Sequence, residues 1–192
     1  MLSVQEAIDS RRAVRKYTDQ DVSDEVLDRI VRSALEAPSA FNAQMRDLVV
    51  VRDPKVKQGL YEASGQQQFL DAPVVFVAVG RTEILPDDAN EVLGEQLAGY
   101  VRGFQEKKTQ QGLREAGLRD AMLVAGFLLL AAQAEGLATS PTTGWDEEGV
   151  KKAIGLKGRE DRSIALVVAM GYADESPAHP GRVAERRVND SF

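Results

Sequence analysis

Apolar residues at helical spacing predict two helices in the first 40 residues of the chain. Ser3 and Glu6 have the spacing of a capping box, and the apolar positions around them predict a short helix that runs into a basic segment. Ser23 can cap a second helix, whose apolar stripe must stop before Pro38. The chain is therefore expected to begin with two short helices joined by a basic turn.

Three runs of β-branched and other apolar residues predict strands, at 48–51, 73–79 and 164–170. The second run is continuously apolar, which is typical of a strand covered on both faces. Asp53 and Pro54 are suited to begin a third helix between the first two strands. By spacing alone, strands that alternate with helices in this way predict a parallel α/β sheet.

The longest apolar run, 121–132, predicts a helix that is buried on every side. It is too short to span a membrane, and Gly136 is suited to end it. In a chain of 192 residues, such a helix needs cover from a second subunit as well as from its own sheet. A weaker helical pattern at 87–104 is interrupted by three glycines.

Three polar segments between these elements are candidates for ligand contact. Residues 38–44 are small and polar around one aromatic side chain, and residues 65–68 contain three neutral amides that suit the edge of a heterocycle. Residues 140–146 form a shaped loop with a proline and a glycine, before a helix that Asp146 caps. The first segment is also readable as an ordinary helix-to-strand connector, and the second as a solvated loop.

Composition narrows the chemistry. The net charge of −6 and the pI near 5.0 argue against nucleic acid as the main ligand, because binding phosphate backbones needs an extended basic surface. Without cysteine, and with His179 as the single histidine, the chain cannot form a thiolate nucleophile, a Cys-ligated cluster or a His-rich metal site. Redox chemistry would therefore need a bound organic cofactor. No signal-peptide pattern is present, so a cytoplasmic protein is expected.

Against this acidic background, the basic run 10–16 places four cations within six positions. If the first helix continues through it, Arg11 and Arg15 share one face and can close on a phosphate. The alternative is a solvated basic turn, since cations are favoured at a helix C-terminus.

Five motifs occur here in a specific order. They are Arg11-Arg12-Ala13-Val14-Arg15, the Ala-Pro-Ser-x-x-Asn-x-Gln loop 37–44, Asp71-Ala72-Pro73, the apolar helix 121–132, and the Pro-x-x-Gly-aromatic-Asp loop 141–146. In this combination, which spreads from Val4 to the last strand, the chain resembles the FMN-dependent nitroreductase-like flavoproteins. The resemblance implies an α+β fold with a mostly antiparallel sheet flanked by helices. It takes precedence over the parallel arrangement that spacing predicts.

The resemblance also implies one FMN-binding domain over residues 1–192, in an intertwined homodimer that exchanges extended C-terminal arms at about 173–192. In such proteins the N-terminal basic cluster and tail cations hold the flavin phosphate and pyrimidine edge, a loop reaches the flavin from the other subunit, and an amide and a Pro-x-x-Gly loop meet the ring. The implied FMN-binding positions are Arg11, Arg12, Ala13, Arg15, Pro38, Ser39, Ala40, Asn42, Gln66, Gln67, Thr143, Gly144, Arg186 and Arg187.

Three positions depart from the pattern. Ala13 stands where a serine hydroxyl is often found, so one donor is missing. Met45-Arg46 replaces the common Pro-Trp, and Thr143 occupies a position that is glutamate in some members. These departures bear on the range of substrates.

The activity implied is transfer of hydride from NADH or NADPH, through flavin N5, to a nitroaromatic, a quinone or a similar small acceptor by a ping-pong mechanism. No side chain is assigned as a catalytic acid, because water can protonate the product, and no metal is expected. Two alternatives stay open: a flavin-dependent dehydrogenase or dehalogenase of one specific metabolite, and an FMN-binding protein that stores or senses the cofactor without turnover.

Overall fold

A computed structural model describes residues 1–191 of the chain. Four strands and eight α-helices are formed in these residues. In chain order they are α1 (Val4–Ser10), α2 (Asp24–Leu35), β1 (Arg46–Val51), α3 (Pro54–Glu62), α4 (Gln68–Asp71), β2 (Val74–Arg81), α5 (Ala89–Leu93), α6 (Glu95–Gln105), α7 (Gln110–Ala134), β3 (Ala138–Thr142), α8 (Glu147–Ala153) and β4 (Arg162–Gly171). Short 3₁₀ turns lie at Ala40–Asn42 and Ala184–Arg186.

The four strands form one sheet in the order β1-β2-β4-β3, and every neighbouring pair is antiparallel. The parallel arrangement that spacing predicts is therefore wrong, whereas the antiparallel α+β class is confirmed. The physical reason lies in the connections. Helices α3 and α4 return the chain to the end of the sheet where β1 finished, so β2 runs back beside it instead of crossing over.

Two apolar layers cover the two central strands, β2 and β4, on opposite faces. Alternate residues of β2 enter different layers: Phe76 packs with α2 and α7, and Val77 packs with α3 and α8. Burial of β2 and β4 on both faces explains why both read as continuous apolar runs.

The helix starts predicted from polar residues are confirmed. Ser3 and Glu6 form a reciprocal capping box, in which the Ser3 amide donates to Glu6 Oε2 (2.7 Å) and the Glu6 amide donates to Ser3 Oγ (3.2 Å). Ser23, Asp53 and Asp146 accept backbone N–H groups at the starts of α2, α3 and α8. Each cap satisfies a donor that the helix leaves unpaired.

Three expected boundaries change. The segment 87–104 forms two helices, α5 and α6, because Gly94 adopts a positive φ of 75° between them. Helix α7 begins at Gln110, eleven residues before the apolar run 121–132, behind a Thr109 cap. The first residues of the expected loop 140–146 belong to β3, an edge strand, and an edge position tolerates the missing N–H of Pro141.

Helix α7 is buried on only one side of the single chain. Ala121, Val124 and Leu128 are fully buried against the sheet. Met122, Leu123 and Phe127 on the other side are 42–46% exposed. The expectation of burial on every side is therefore not met within one chain. No helix within residues 1–191 is long and apolar enough to cross a membrane.

Helix α7 touches β2 through two glycines. A Cβ atom on Gly80 would lie 2.7 Å from the carbonyl carbon of Gly117, and one on Gly117 would collide with the backbone of Arg81. Helix and strand backbones are therefore in direct contact at this point, closer than side chains would allow.

An ion-pair network closes one end of the sheet. Arg162 at the start of β4 contacts Glu83 and Asp161 at 2.8 Å each, and its Nε lies 3.5 Å from Asp47 on β1. Arg81 also binds Glu83, at 2.6 Å. We call these residues, with Arg159, the sheet-end network.

Beyond β4 the chain leaves the core. Ala173 forms one bridge with Tyr17, and the amide of Asp174 donates to the Lys16 carbonyl (2.9 Å). From residue 178 to 191 every residue is exposed. Residues 178–191 thus lie outside the core, and residue 192 of the expected arm lies outside the described residues. The extended arm and its exchange with a partner remain predictions.

Candidate functional site

The basic run is extended rather than helical. Helix α1 ends at Ser10, and Arg11 has an extended backbone (φ −60°, ψ 127°). Ala13 bridges Thr139 of β3, and the Val14 amide donates to the Thr139 carbonyl (3.0 Å). Arg11 and Arg15 therefore do not share a helical face, and the run is fixed instead to the outer edge of the sheet.

Arg11 carries a buried donor without a partner. Its Nη1 atom is inaccessible to solvent and has no hydrogen bond within the described residues. Burial, followed by the nearby charges of Arg182 and Arg12, lowers the pKa of its guanidinium. A half-buried cation that is repelled by its neighbours is unfavourable, and an anion beside it would relieve both penalties.

Arg11 opens onto a cavity of about 340 Å³. We call it the Arg11 cavity; it is lined by Ile8, Asp9, Arg11, Arg12, Leu130, His179 and Arg182. Within residues 1–191, no carboxylate forms a salt bridge with Arg11, Arg12 or Arg182. The cavity thus gathers unpaired positive charge from both ends of the chain.

The other predicted cations are engaged or displaced. Arg12 donates from Nη1 to the carbonyls of Asp9 (2.7 Å) and Arg11 (2.8 Å). The amide of Arg15 donates to Glu175 of the arm (2.6 Å), and the Arg15 residue is exposed. Arg186 and Arg187 lie at the exposed 3₁₀ turn of the arm and do not line the Arg11 cavity.

Five of the seven residues that line the Arg11 cavity were not among the predicted positions, and two of them, His179 and Arg182, come from the C-terminal arm. Arg182 follows Gly181, whose positive φ of 82° turns the arm back towards α1. His179 is exposed and also lines the cavity. Only the proline and glycine that precede Arg182 hinted at a turn there, and nothing in the spacing singled out this arginine.

The predicted loop 38–44 is a strained turn. Phe41, Asn42 and Gln44 all have positive φ values, between 52° and 58°. The Gln44 amide donates to Ser39 Oγ (3.0 Å), which closes the turn on itself. Residues other than glycine with positive φ cost free energy and persist only where the surroundings impose this conformation. Such strained residues are common at functional sites.

Two buried ionic side chains hold the two ends of this turn. Asp120 of α7 accepts the Met45 amide at 3.1 Å, and burial raises the pKa of its carboxyl. Arg46, in the position where the pattern has tryptophan, donates from Nη2 to the carbonyls of Leu35 and Ala37 at 2.9 Å each. Arg46 thus ties the loop to the end of α2.

An aromatic surface adjoins this loop. The Phe41 ring meets Tyr100 and Phe104 of α6 edge-on, with centroids 6.0 and 5.7 Å apart. All three rings are at least 42% exposed. Exposed aromatic side chains in contact are suited to stack or pack against a flat apolar ligand.

A third group joins the amide segment to the loop after β3. Gln68 Nε2 donates to Gln66 Oε1 (2.9 Å) and lies 3.4 Å from Thr142 Oγ1. The Gln66 Nε2 atom lies over Gly144, 4.0 Å from where a Cβ would stand. Gln67 turns away and binds Asp71 (2.8 Å). Gln66, Thr143 and Gly144 are therefore brought together, and Gln67 is not.

Residues 8–172 match the model of the Nitroreductase family. The chain is 34% identical over 190 residues to a Thermus thermophilus protein named NADH dehydrogenase, with 93% of this chain and 92% of that protein covered. It is 28% identical over 145 residues to FMN reductase (NAD(P)H) of Bacillus subtilis, covering 73% of this chain and 54% of that protein.

A solved structure from Exiguobacterium sibiricum, described as a nitroreductase in complex with FMN, has the same fold. Its TM-score is 0.86 at 22% identity, and the match covers 97% of this chain and 95% of that one. The antiparallel sheet with its flanking helices is thus the nitroreductase fold. The chain belongs to the nitroreductase family, and the family predicted from the five motifs is confirmed.

Proposed function

We propose that the protein is an FMN-dependent oxidoreductase, active as a homodimer, that uses NADH or NADPH to reduce nitroaromatic, quinone or similar acceptors by a ping-pong mechanism. Membership of the family and the FMN reductase among the relatives support this proposal. The single observation that carries it is the buried, unpartnered Nη1 of Arg11 beside Arg182.

The Arg11 cavity fits the phosphate of FMN. A phosphate monoester carries close to two negative charges and three acceptor oxygens, which match a cluster of guanidinium donors. Arg11 and Arg182 would hold the phosphate, and Arg12 and Arg15 would add positive charge beside it. Arg186 and Arg187 of the arm remain predicted contacts whose placement in a dimer is part of this proposal.

The ring would lie against the amide segment and the loop after β3. Gln66 offers a side-chain amide, and Thr143 and Gly144 offer backbone groups on an exposed loop. The methyl side chain of Ala13 supplies no hydrogen bond, so its share in binding would be limited to its backbone and shape.

The partner's loop 38–44 would complete the pocket, with Pro38, Ser39, Ala40 and Asn42 reaching the other subunit. The exposed apolar face of α7 supports the homodimer, because Met122, Leu123 and Phe127 lack cover within the chain. The aromatic surface of Phe41, Tyr100 and Phe104 would then border the space for a flat acceptor.

The bound flavin supplies the hydride chemistry, and the protein supplies position and charge. Arg11 and Arg182 would anchor the cofactor. Nearby cations and the Gln66 amide would favour negative charge at the ring, and the aromatic surface would exclude water from the acceptor. NAD(P)H and the acceptor would use the same pocket in turn.

The proposal is tested by the absorption spectrum of the purified, FMN-reconstituted protein before and after anaerobic addition of NADH or NADPH. We expect a yellow protein that bleaches with the reductant and recovers when a quinone or nitroaromatic is added. A colourless protein that takes up no FMN would refute the proposal. Bound FMN that never bleaches would favour the storage protein, and recovery with only one metabolite would favour a specific dehydrogenase or dehalogenase.

The homodimer is tested by Phe127→Glu on the exposed face of α7. A charge in an apolar interface should produce monomers at micromolar concentration by sedimentation, with loss of FMN because the partner loop is removed. The matched control is Gln111→Glu, an exposed position at the start of the same helix, which should leave the dimer intact.

A further inference from the structure

Gln68 is a buried amide that the proposed cofactor contacts do not include. It begins helix α4 and is only 5% exposed. Its Nε2 group faces two oxygens, Gln66 Oε1 at 2.9 Å and Thr142 Oγ1 at 3.4 Å. Because an amide nitrogen has two N–H donors, both are directed to partners within the chain.

This arrangement fixes which end of the Gln66 amide is available to a ligand. The Gln66 oxygen accepts from Gln68, so the free end of the amide is its nitrogen, the atom that lies over Gly144. A glutamine without such a neighbour can rotate its amide and offer either end. The hydrogen bond from Gln68 holds the Gln66 amide in one of these two orientations.

The choice matters for an isoalloxazine ring. Its polar edge carries the acceptors N1, O2, O4 and N5 and the single donor N3–H. A donor on one of the acceptors stabilises the electron density that reduction adds, whereas an acceptor on N3–H meets a group present before and after reduction.

We propose that Gln68 is a positioning residue that fixes Gln66 as a hydrogen-bond donor towards the bound flavin and thereby makes the flavin easier to reduce. The inference rests on the proposed function, because it requires FMN to lie beside Gln66. It concerns the orientation of one amide and adds no new contact to the cofactor.

The test is the midpoint potential of bound FMN in variants of the FMN-reconstituted protein. An ionised carboxylate only accepts hydrogen bonds, so Gln68→Glu should reverse the Gln66 amide and lower the equilibrium constant for reduction about tenfold, which is about 30 mV for a two-electron couple. Gln68→Met keeps the volume without the donor and should lower that constant about threefold. A change in the visible spectrum of bound FMN should accompany both.

A double-mutant cycle separates the amide from the added charge. In a Gln66→Met background, Gln68→Glu acts only through its charge, and its effect on the equilibrium constant should fall to about twofold. The inference is overturned if FMN remains bound and the effect is equal in both backgrounds, or if Gln68→Glu and Gln68→Met leave the potential unchanged. Wild-type protein that binds no FMN would instead overturn the proposed function, and the inference with it.

Discussion

Two groups of three arginines in this chain have opposite surroundings. In the sheet-end network, Arg81, Arg159 and Arg162 each contact a carboxylate at 2.6–2.8 Å. In the Arg11 cavity, Arg11, Arg12 and Arg182 have no such partner within residues 1–191 and surround a cavity. Residue type and net charge do not distinguish the groups. What distinguishes them is whether carboxylates of the chain neutralise the charge. We therefore assign the first group to holding the fold and propose the second group as the one that binds a ligand.

The largest effect is expected from Arg162→Met in the sheet-end network. Arg162 is 8% exposed, and its removal leaves the carboxylates of Asp47, Glu83 and Asp161 crowded together. We expect the free energy of unfolding to fall by about 3 kcal/mol, measured by urea denaturation. FMN affinity of the folded variant should stay within about twofold of wild type, because no ligand group is lost.

The matched control is Arg159→Met, which removes a half-exposed partner of the same Asp161. Its cost should be below about 1 kcal/mol. If both variants were equally stable, the buried network would not be structural in the sense argued here.

A somewhat smaller effect, and the reverse pattern, is expected from Arg11→Ala and Arg182→Ala. FMN affinity should fall about 30-fold for each, about 2 kcal/mol, because a charge-assisted contact to phosphate is lost. Stability of the FMN-free protein should be unchanged or slightly higher for Arg11→Ala, since a half-buried, repelled cation is removed. Titration with FMN and with riboflavin, which lacks the phosphate, should show the loss for FMN alone.

Arg119→Ala, on the exposed surface of α7, is the control for loss of charge. Arg186→Ala and Arg187→Ala show whether other arm residues share the role. An FMN affinity unaffected by Arg182→Ala but reduced by Arg187→Ala would reassign the tail contact.

Added salt should also distinguish the two groups of arginines, but with a smaller effect than the substitutions. Raising NaCl from about 0.05 M to about 0.5 M should weaken FMN binding several-fold, because the phosphate charge is screened. The urea midpoint should change little, since the central pairs of the sheet-end network are largely buried. A midpoint that falls in parallel with FMN affinity would contradict the distinction.

The smallest effect is expected on the stability of the protein at acid pH. Arg159 is the main cause that lowers the pKa of Asp161 from its ordinary value near 3.8 to about 2. A carboxyl whose pKa is lower in the folded state stabilises the protein above pH 3.8, and this contribution is lost as the pH falls towards 2. Because Asp161 is 35% exposed, we expect less than about 1 kcal/mol. Asp161→Asn should remove this part of the pH dependence in urea titrations between these values.

Much of the fold follows from local rules that the sequence displays. The caps at Ser3, Ser23, Asp53 and Asp146 mark helix starts because each side chain bonds to an amide two or three residues away. Strand direction does not follow from such rules, because it depends on where a connection returns the chain. The antiparallel direction of the strands was predicted only from the resemblance that the five motifs carry.

The candidate site was predictable only in part, for a similar reason. Arg11 and Gln66 sit in segments whose composition already suggested ligand contact. Arg182 joins Arg11 through a turn of the arm, and Gln68 matters because of a bond to its neighbour but one, and neither contact leaves a pattern in the sequence. Arg46 was noted as a departure from the family, and only the structure shows that its guanidinium ties the loop 38–44 to α2.

The contact of Gly80 with Gly117 fixes the distance between α7 and β2, and the geometry of the proposed site depends on that distance. One turn beyond Gly117, the same helix carries Asp120, which holds the Met45 amide at the base of the loop 38–44. A methyl group at either glycine would lift the helix by about 1 Å, and the loop would follow; a misplacement of about 1 Å can cost a catalytic site about a hundredfold in rate. The position of this surface loop therefore depends on a backbone contact at the centre of the sheet. Substitutions at that contact can lower the activity of the site although they never touch a ligand.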